Sequence, residues 1–249
     1  MDRTNAEGMR QGGFARRKHL RSLLESSDFE EMLRSADAGP GKIINPLLCY
    51  LYDADEMIRW KAVRGVGITV SAIAGKDLES ARTIMRRLIW SLNDESGGIG
   101  WGAPEAMGEV MAENETLARE YYRILVSYID ENGNPLGNDA LERGVMWGIN
   151  RLARKRPELL REWTAPVMAQ LMSPDPVKRG LAVLTLLSLT GYSSVRSELN
   201  RHEALFKSLL QDQSDIRIFK DGSFEEYSIS RLASELLEKI ASSPTAAGE

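Results

Sequence analysis

The chain is poor in the side chains from which catalytic and metal centres are most often built. It has one cysteine, Cys49, and two histidines, His19 and His202, in 249 residues. A lone cysteine excludes an intrachain disulfide and fits a reducing compartment, so a cytoplasmic location is expected. One thiol and two histidines in different ends of the chain cannot be assembled into a transition-metal site, and neither a metal nor a cofactor is expected. No apolar run approaches the ~20 residues that a membrane helix requires, so no membrane partner is expected. The N-terminal MDRTNAEGMRQGGFARRKHLRS is charged and has no apolar core, so no secretory signal is expected there. A basic excess is missing too. The net charge of -4 and pI near 5.5 argue against a general nucleic-acid binder. Convincing period-two alternation is also absent, so no sheet of three or more strands is expected.

What the chain does have is a repeat. Ile58 to Gly67, IRWKAVRGVG, aligns with Ile99 to Gly108, IGWGAPEAMG, at a constant offset of 41. Trp60 meets Trp101, Ala62 meets Ala103 and Gly67 meets Gly108. A further shift of 41 brings Ala103 onto Gly144, and ERGVMWGI from Glu142 matches KRGLAVLT from Lys178 at an offset of 36. ISRLASELLEKI from Ile229 ends the series. Each unit opens with an apolar helix, as in INPLLCYLYD, RTIMRRLIWSLND, YYRILVSYID, WTAPVMAQLMSPD and ALFKSLLQDQSD. Apolar residues recur at three- and four-residue steps. A turn bearing Asp53, Asp94, Asp130, Asp175, or Asp212 or Asp215 follows, suited to capping the next helix. GITVSAIAG, Gly67 to Gly75, could pass for a strand locally, but the period places it in a helix.

About five helix pairs at a period of about 40 residues indicate an all-α chain folded as an α-solenoid, with at least ten helices. On the Asp-bearing turns and the small or Arg-Gly positions opening each second helix, residues 43–240 resemble HEAT-like repeats of the armadillo-type fold. The stretch NDESGGIGWGAPEAMGE is similar to one in uncharacterised bacterial HEAT-like repeat proteins. Residues 1–42 read as an N-terminal helical cap, two short helices with Asp28 between them, and a linker at AGPGK. Residues 241–249 read as a disordered tail.

The glycine-rich turn is the richest candidate site. Gly98, Gly100 and Ala103 satisfy G-x-G-x-x-A, but a helix precedes them where a dinucleotide site needs a strand. No Walker sequence occurs. Pro104 suits the first turn of a following helix, whose N–H groups attract anions or caps. DENGNPLGNDALE from Asp130 imitates a calcium loop, but Pro135 and Leu141 replace the required Gly and Glu, leaving an Asx-rich turn. Trp60, Trp101 and Trp147 fall in or beside three consecutive second helices, which line the concave face in HEAT-like stacks, with Arg64, Glu105, Glu109 and Arg143 nearby. The competing reading makes these tryptophans interrepeat core. Trp90 and Trp163, on first helices, are expected in the core. Arg16, Arg17, Lys18 and Arg21 read as a solvated face.

The binding set is therefore Trp60, Arg64, Asp94, Glu95, Gly98, Gly100, Trp101, Glu105, Arg143 and Trp147, with no catalytic residue assigned. It fits a non-enzymatic scaffold that takes a protein partner or a small polar ligand on its concave face. Two alternatives stay open. HEAT-like DNA glycosylases use tryptophans, an acid and a basic groove, roles into which Trp60, Trp101, Asp94 and Arg143 could be drawn, although Glu95, Glu105 and Glu109 oppose a basic groove. HEAT-like chromophore lyases supply the other, by analogy of fold alone.

Overall fold

The computed structural model describes residues 17–29, 31, 32, 34, 40–92 and 100–242. The chain forms two compact units, Met1–Asn114 and Glu115–Glu249. No described helix is long and apolar enough to cross a membrane.

In the first unit, helix α1 covers residues 17–26, and α2 is described at residues 29, 31, 32 and 34. Asp28 separates them, and its carboxylate accepts the N–H of Glu31 at 2.9 Å. Four longer helices follow: α3 (Pro40–Tyr50), α4 (Glu56–Ala74), α5 (Leu78–Leu92) and α6 (Ala103–Glu113). Residues 40–42 of the expected linker thus belong to α3. Asp55 starts α4 by accepting the N–H groups of Met57 and Ile58 at 2.8 and 3.2 Å, which satisfies donors that the first helical turn leaves without partners. Helix α4 packs on α3, α5 and α6. Its Val63, Val66 and Val70 are buried with Leu24 of α1, Leu47 of α3, Met85 of α5 and Val110 of α6.

Two glycines let α4 come this close to its neighbours. A Cβ on Gly65 would lie 2.9 Å from the Met32 sulfur and 3.1 Å from Leu47. A Cβ on Gly67 would lie 2.4 Å from Cγ and 3.2 Å from the backbone carbonyl carbon of Glu109. Glu109 is only 2% exposed. Its carboxylate is bonded by Arg64, which also donates to Glu113 at 2.5 Å. A buried carboxylate is tolerable because it is paired in this way.

The second unit contains α7 (Glu115–Ser127), α8 (Asp139–Lys155), α9 (Thr164–Ala169), α10 (Pro176–Leu189), α11 (Ser193–Asn200), α12 (Glu203–Ser208) and α13 (Ile229–Ala241). Asn138 caps α8 through the N–H groups of Ala140 and Leu141. Asp175 caps α10 through the N–H of Val177. Helix α8 packs on α7 and α10, and α10 on α13. The Asp130 segment is an Asx turn: Asp130 accepts the N–H of Asn132 at 3.0 Å and Gly137 takes a positive φ of 63°.

One element corrects the sequence reading. Between α12 and α13 stands an antiparallel hairpin, β1 (Asp215–Lys220) and β2 (Ser223–Ser228), with Asp215 opposite Ser228 and Phe219 opposite Phe224. Asp221 and Gly222 turn it with φ of 49° and 100°, the left-handed values that a tight hairpin needs. Ile216, Ile218 and Phe219 are buried. A Cβ on Gly180 of α10 would lie 2.0 Å from the Ile216 Cδ1, so β1 seats on a site that a side chain would fill.

The aspartates of the turns also bind arginines from about one repeat earlier. Arg21 donates to Asp53 at 2.7 Å in the first unit. In the second unit Arg143 donates to Asp175, and Arg179 to Asp212 at 2.7 Å. A second arginine device recurs beside it. Arg59 donates to the carbonyls of Asp53 and Ala54 at 2.7 and 3.3 Å, Arg179 to those of Ser173 and Pro174 at 2.8 and 3.1 Å, and Arg196 to those of Thr190 and Gly191. Each arginine sits in the first turns of a helix and closes the end of the segment before it.

The close approach of α4 to α6 can be measured. Ala is intrinsically ~1 kcal/mol better than Gly inside a helix, yet Gly67→Ala is expected to destabilise by about 1–3 kcal/mol, because the new methyl meets a Cβ and a backbone carbon that cannot swing away. Gly75→Ala serves as control, since its Cβ would meet nothing nearer than 3.5 Å. Urea unfolding of both variants checks this; equal stability of the two would show that the helices can separate freely.

Candidate functional site

The described part of the glycine-rich turn starts at Gly100, and Asp94, Glu95 and Gly98 lie outside the described residues. Gly100 is buried against the end of α5: a Cβ there would lie 2.8 Å from the carbonyl oxygen of Ser91 and 3.0 Å from Leu92. Its own carbonyl accepts the N–H of Ala103 at 3.0 Å. The left-handed residue is Gly102, with φ of 75°, and a Cβ on it would lie 3.0 Å from that of Leu51. Gly102 is the N-cap of α6 and offers no side-chain cap, and Pro104 occupies the first turn. The two glycines therefore do different work. Gly100 permits backbone-to-backbone contact with α5, and Gly102 supplies the turn.

Three exposed aromatics adjoin these contacting residues in the chain. Trp101 lies between the two glycines and is 40% exposed. Trp90, beside Ser91, is 78% exposed, and Tyr52, beside Leu51, is 51% exposed. The packing of Gly100 on Ser91 and of Gly102 on Leu51 thus gathers the backbone at positions 52, 90 and 101. The expectation that Trp90 belongs to the core is wrong. The buried stripe of α5 is Ala81, Ile84, Met85 and Leu88, and two residues beyond Leu88 point to the opposite side of a helix with 3.6 residues per turn.

Glu105, in the first turn of α6, is the unusual charge of this region. The residue keeps some exposure, but its Oε2 is buried and has no hydrogen-bond partner among the described residues. Burial pushes its pKa up to about 7, against the smaller opposing pulls of its own backbone N–H and of Arg59 on α4. Near neutral pH the group therefore divides between a neutral and a charged form.

The other residues of the binding set take distinct positions. Trp60 is half-buried on α4. Arg64 is held by Glu109 and Glu113. In the second unit, Arg143 is bonded to Asp175, so its guanidinium is committed to the turn that begins α10. Trp147 on α8 is 8% exposed, and its Nε1 donates to the Phe219 carbonyl at 2.8 Å. Trp163 is the N-cap of α9, not a residue of a first helix, and keeps partial exposure with its ring edge-on to Tyr122 at 6.3 Å. Among the described residues no cluster of three or more His, Cys, Asp or Glu is placed to hold a metal ion. Sequence reasoning missed Tyr52 and Trp90 as surface residues; the signal for Trp90 was its position off the apolar stripe of α5.

The raised pKa of Glu105 has a stability consequence of definite sign. The unfolded carboxyl titrates near 4.5 and the folded one near 7, so the folded state binds the extra proton between those values. Stability from this group is complete below pH 4.5 and is lost as pH rises through 7. The difference corresponds to about 3 kcal/mol. Glu105→Gln removes the effect and is expected to be more stable than wild type at pH 8 by up to about 3 kcal/mol, with the gap closing by pH 4.5. Urea unfolding of both proteins across this range tests it; a gap that does not change with pH would mean that water reaches the carboxyl.

No family model matches the chain. An uncharacterised protein of Archaeoglobus fulgidus is 34% identical over 107 residues, which are 43% of this chain and 52% of that protein. The match therefore spans about half the length of that relative. Computationally designed armadillo repeat proteins for modular peptide recognition superpose with a TM-score of 0.53 at 17% identity, over 96% of this chain and 94% of theirs. A designed armadillo repeat protein in complex with the peptide (KR)4 gives a TM-score of 0.50 at 16% identity, over 89% of this chain and 98% of that one. With its capped helix pairs and Asp-bearing turns, the chain has the α-solenoid fold of the HEAT-like and armadillo repeat proteins.

Proposed function

We propose that the chain is a non-enzymatic binding protein of the cytoplasm that docks a segment of a protein partner on its concave face, at the interhelical turn before α6 in the first unit, with Trp101 as the anchor. The observation that carries this reading is the exposure of Trp101, Trp90 and Tyr52 around a turn whose backbone is packed against α5 and Leu51. Exposed tryptophan and tyrosine are the side chains that most often dominate binding energy. The packing of Gly100 and Gly102 on either side of Trp101 reduces the ordering that association must impose there. The fold adds support, since solenoids present extended surfaces to partners, and designed armadillo neighbours recognise peptides.

Because Trp101 is partly exposed, its truncation should separate binding from folding. Affinity capture from the native host with wild type and with Trp101→Ala is expected to lose the captured partner in the variant, while the melting temperature stays within a few degrees. A core tryptophan would instead cost about 3–5 kcal/mol on truncation. Equal capture by both proteins, or a large drop in melting temperature without a separable binding defect, would overturn the reading.

A further inference from the structure

The second unit contains a cavity that none of the roles above uses. Its volume is about 300 Å³, and it lies among α8, α10, the hairpin and α13. Trp147, Leu184, Leu187 and Leu232 supply apolar wall. This size is at the small end for small-molecule sites, and an apolar wall with a few polar groups is their usual composition.

The polar part of the wall is biased in two ways. Asn150 is 6% exposed, and its Nδ2 has no hydrogen-bond partner among the described residues. A buried amide donor in that state costs free energy that an acceptor would recover. The charged lining is also predominantly cationic: Arg151, Arg154, Lys220 and Lys239 face one carboxylate, Glu235. Glu235 holds Lys239 at 2.9 Å, while Asp221 and Glu225 hold Arg154 and Lys220 at 2.6 and 2.9 Å from outside the lining. Each of these paired cations has more N–H donors than its one carboxylate contact uses, so the wall still offers charged donors to an anionic ligand.

We propose that this cavity binds a small organic anion. A carboxylate or phosphoryl oxygen accepts from Asn150 within the cationic wall, and the apolar part of the ligand rests on Trp147 and Leu187. This site is independent of the partner surface in the first unit.

Calorimetric titration of the full chain with benzoate and with phenyl phosphate tests the proposal, with benzyl alcohol as the neutral probe. Saturable binding of at least one anion is expected, with benzyl alcohol at least about tenfold weaker; the preferred anion identifies the head group. Asn150→Leu and Lys239→Gln are each expected to weaken anion binding by about tenfold. Lys239 is half exposed on α13, so its variant decides the matter should Asn150→Leu fail to fold. Lack of saturation with either anion, equal binding of benzyl alcohol, or wild-type affinity in the folded variants would overturn the proposal and leave a cavity filled by water only.

Discussion

A carboxylate at an interhelical turn, shared between its own backbone and a distant arginine, is the interaction on which the repeats depend. Asp53 accepts the N–H of Asp55 and the guanidinium of Arg21. Asp175 accepts the N–H of Val177 and the guanidinium of Arg143. Asp212 accepts the N–H of Ser214 and the guanidinium of Arg179. Each pair ties the shape of one turn to the placement of the repeat before it, so a local conformation and a long-range contact stand or fall together. An exposed ion pair alone contributes little. Here Asp175 and Asp212 are largely sheltered from solvent, and removing either partner would leave the other charge poorly compensated.

The turn before α6 departs from that rule in its described part. Gly102 caps the helix without a side chain, and the local charge is a buried carboxyl with an oxygen that has no partner among the described residues. Local rules tend to be suspended where a chain does something other than fold. Three exposed aromatics at the same place are consistent with that principle.

Much of this architecture is legible in the sequence, because helix periodicity and capping chemistry are local. The three- and four-residue steps of the apolar residues, the aspartates of the turns and Pro104 follow from neighbours a few positions apart, and the helical reading of GITVSAIAG follows from the repeat period. Side-chain exposure is less legible, since it depends on what closes over a surface. Trp60, Trp101 and Trp147 all fall in or beside successive second helices, yet Trp147 is shut in by the carbonyl of Phe219, 72 residues away. The hairpin is the instructive miss. Ile216 and Ile218 alternate, and Asp221-Gly222 is a strong turn signal, but the repeat period suggested only helices there. Gly100 shows another limit: a sequence does not distinguish a glycine required by a positive φ from one required by close packing.

The seat of the hairpin bears on how such an array can grow. Solenoids lengthen by duplication, because each repeat needs only a neighbour of the same shape. Before the last helix, however, β1 seats Ile216 on the face of α10 around Gly180, and its backbone receives the indole of α8. A copied helix pair would not reproduce this surface unless it brought both the missing side chain and the strand with it. The C-terminal repeat is thus specialised rather than interchangeable, and exchanges of modules among related arrays would be tolerated more readily elsewhere than here.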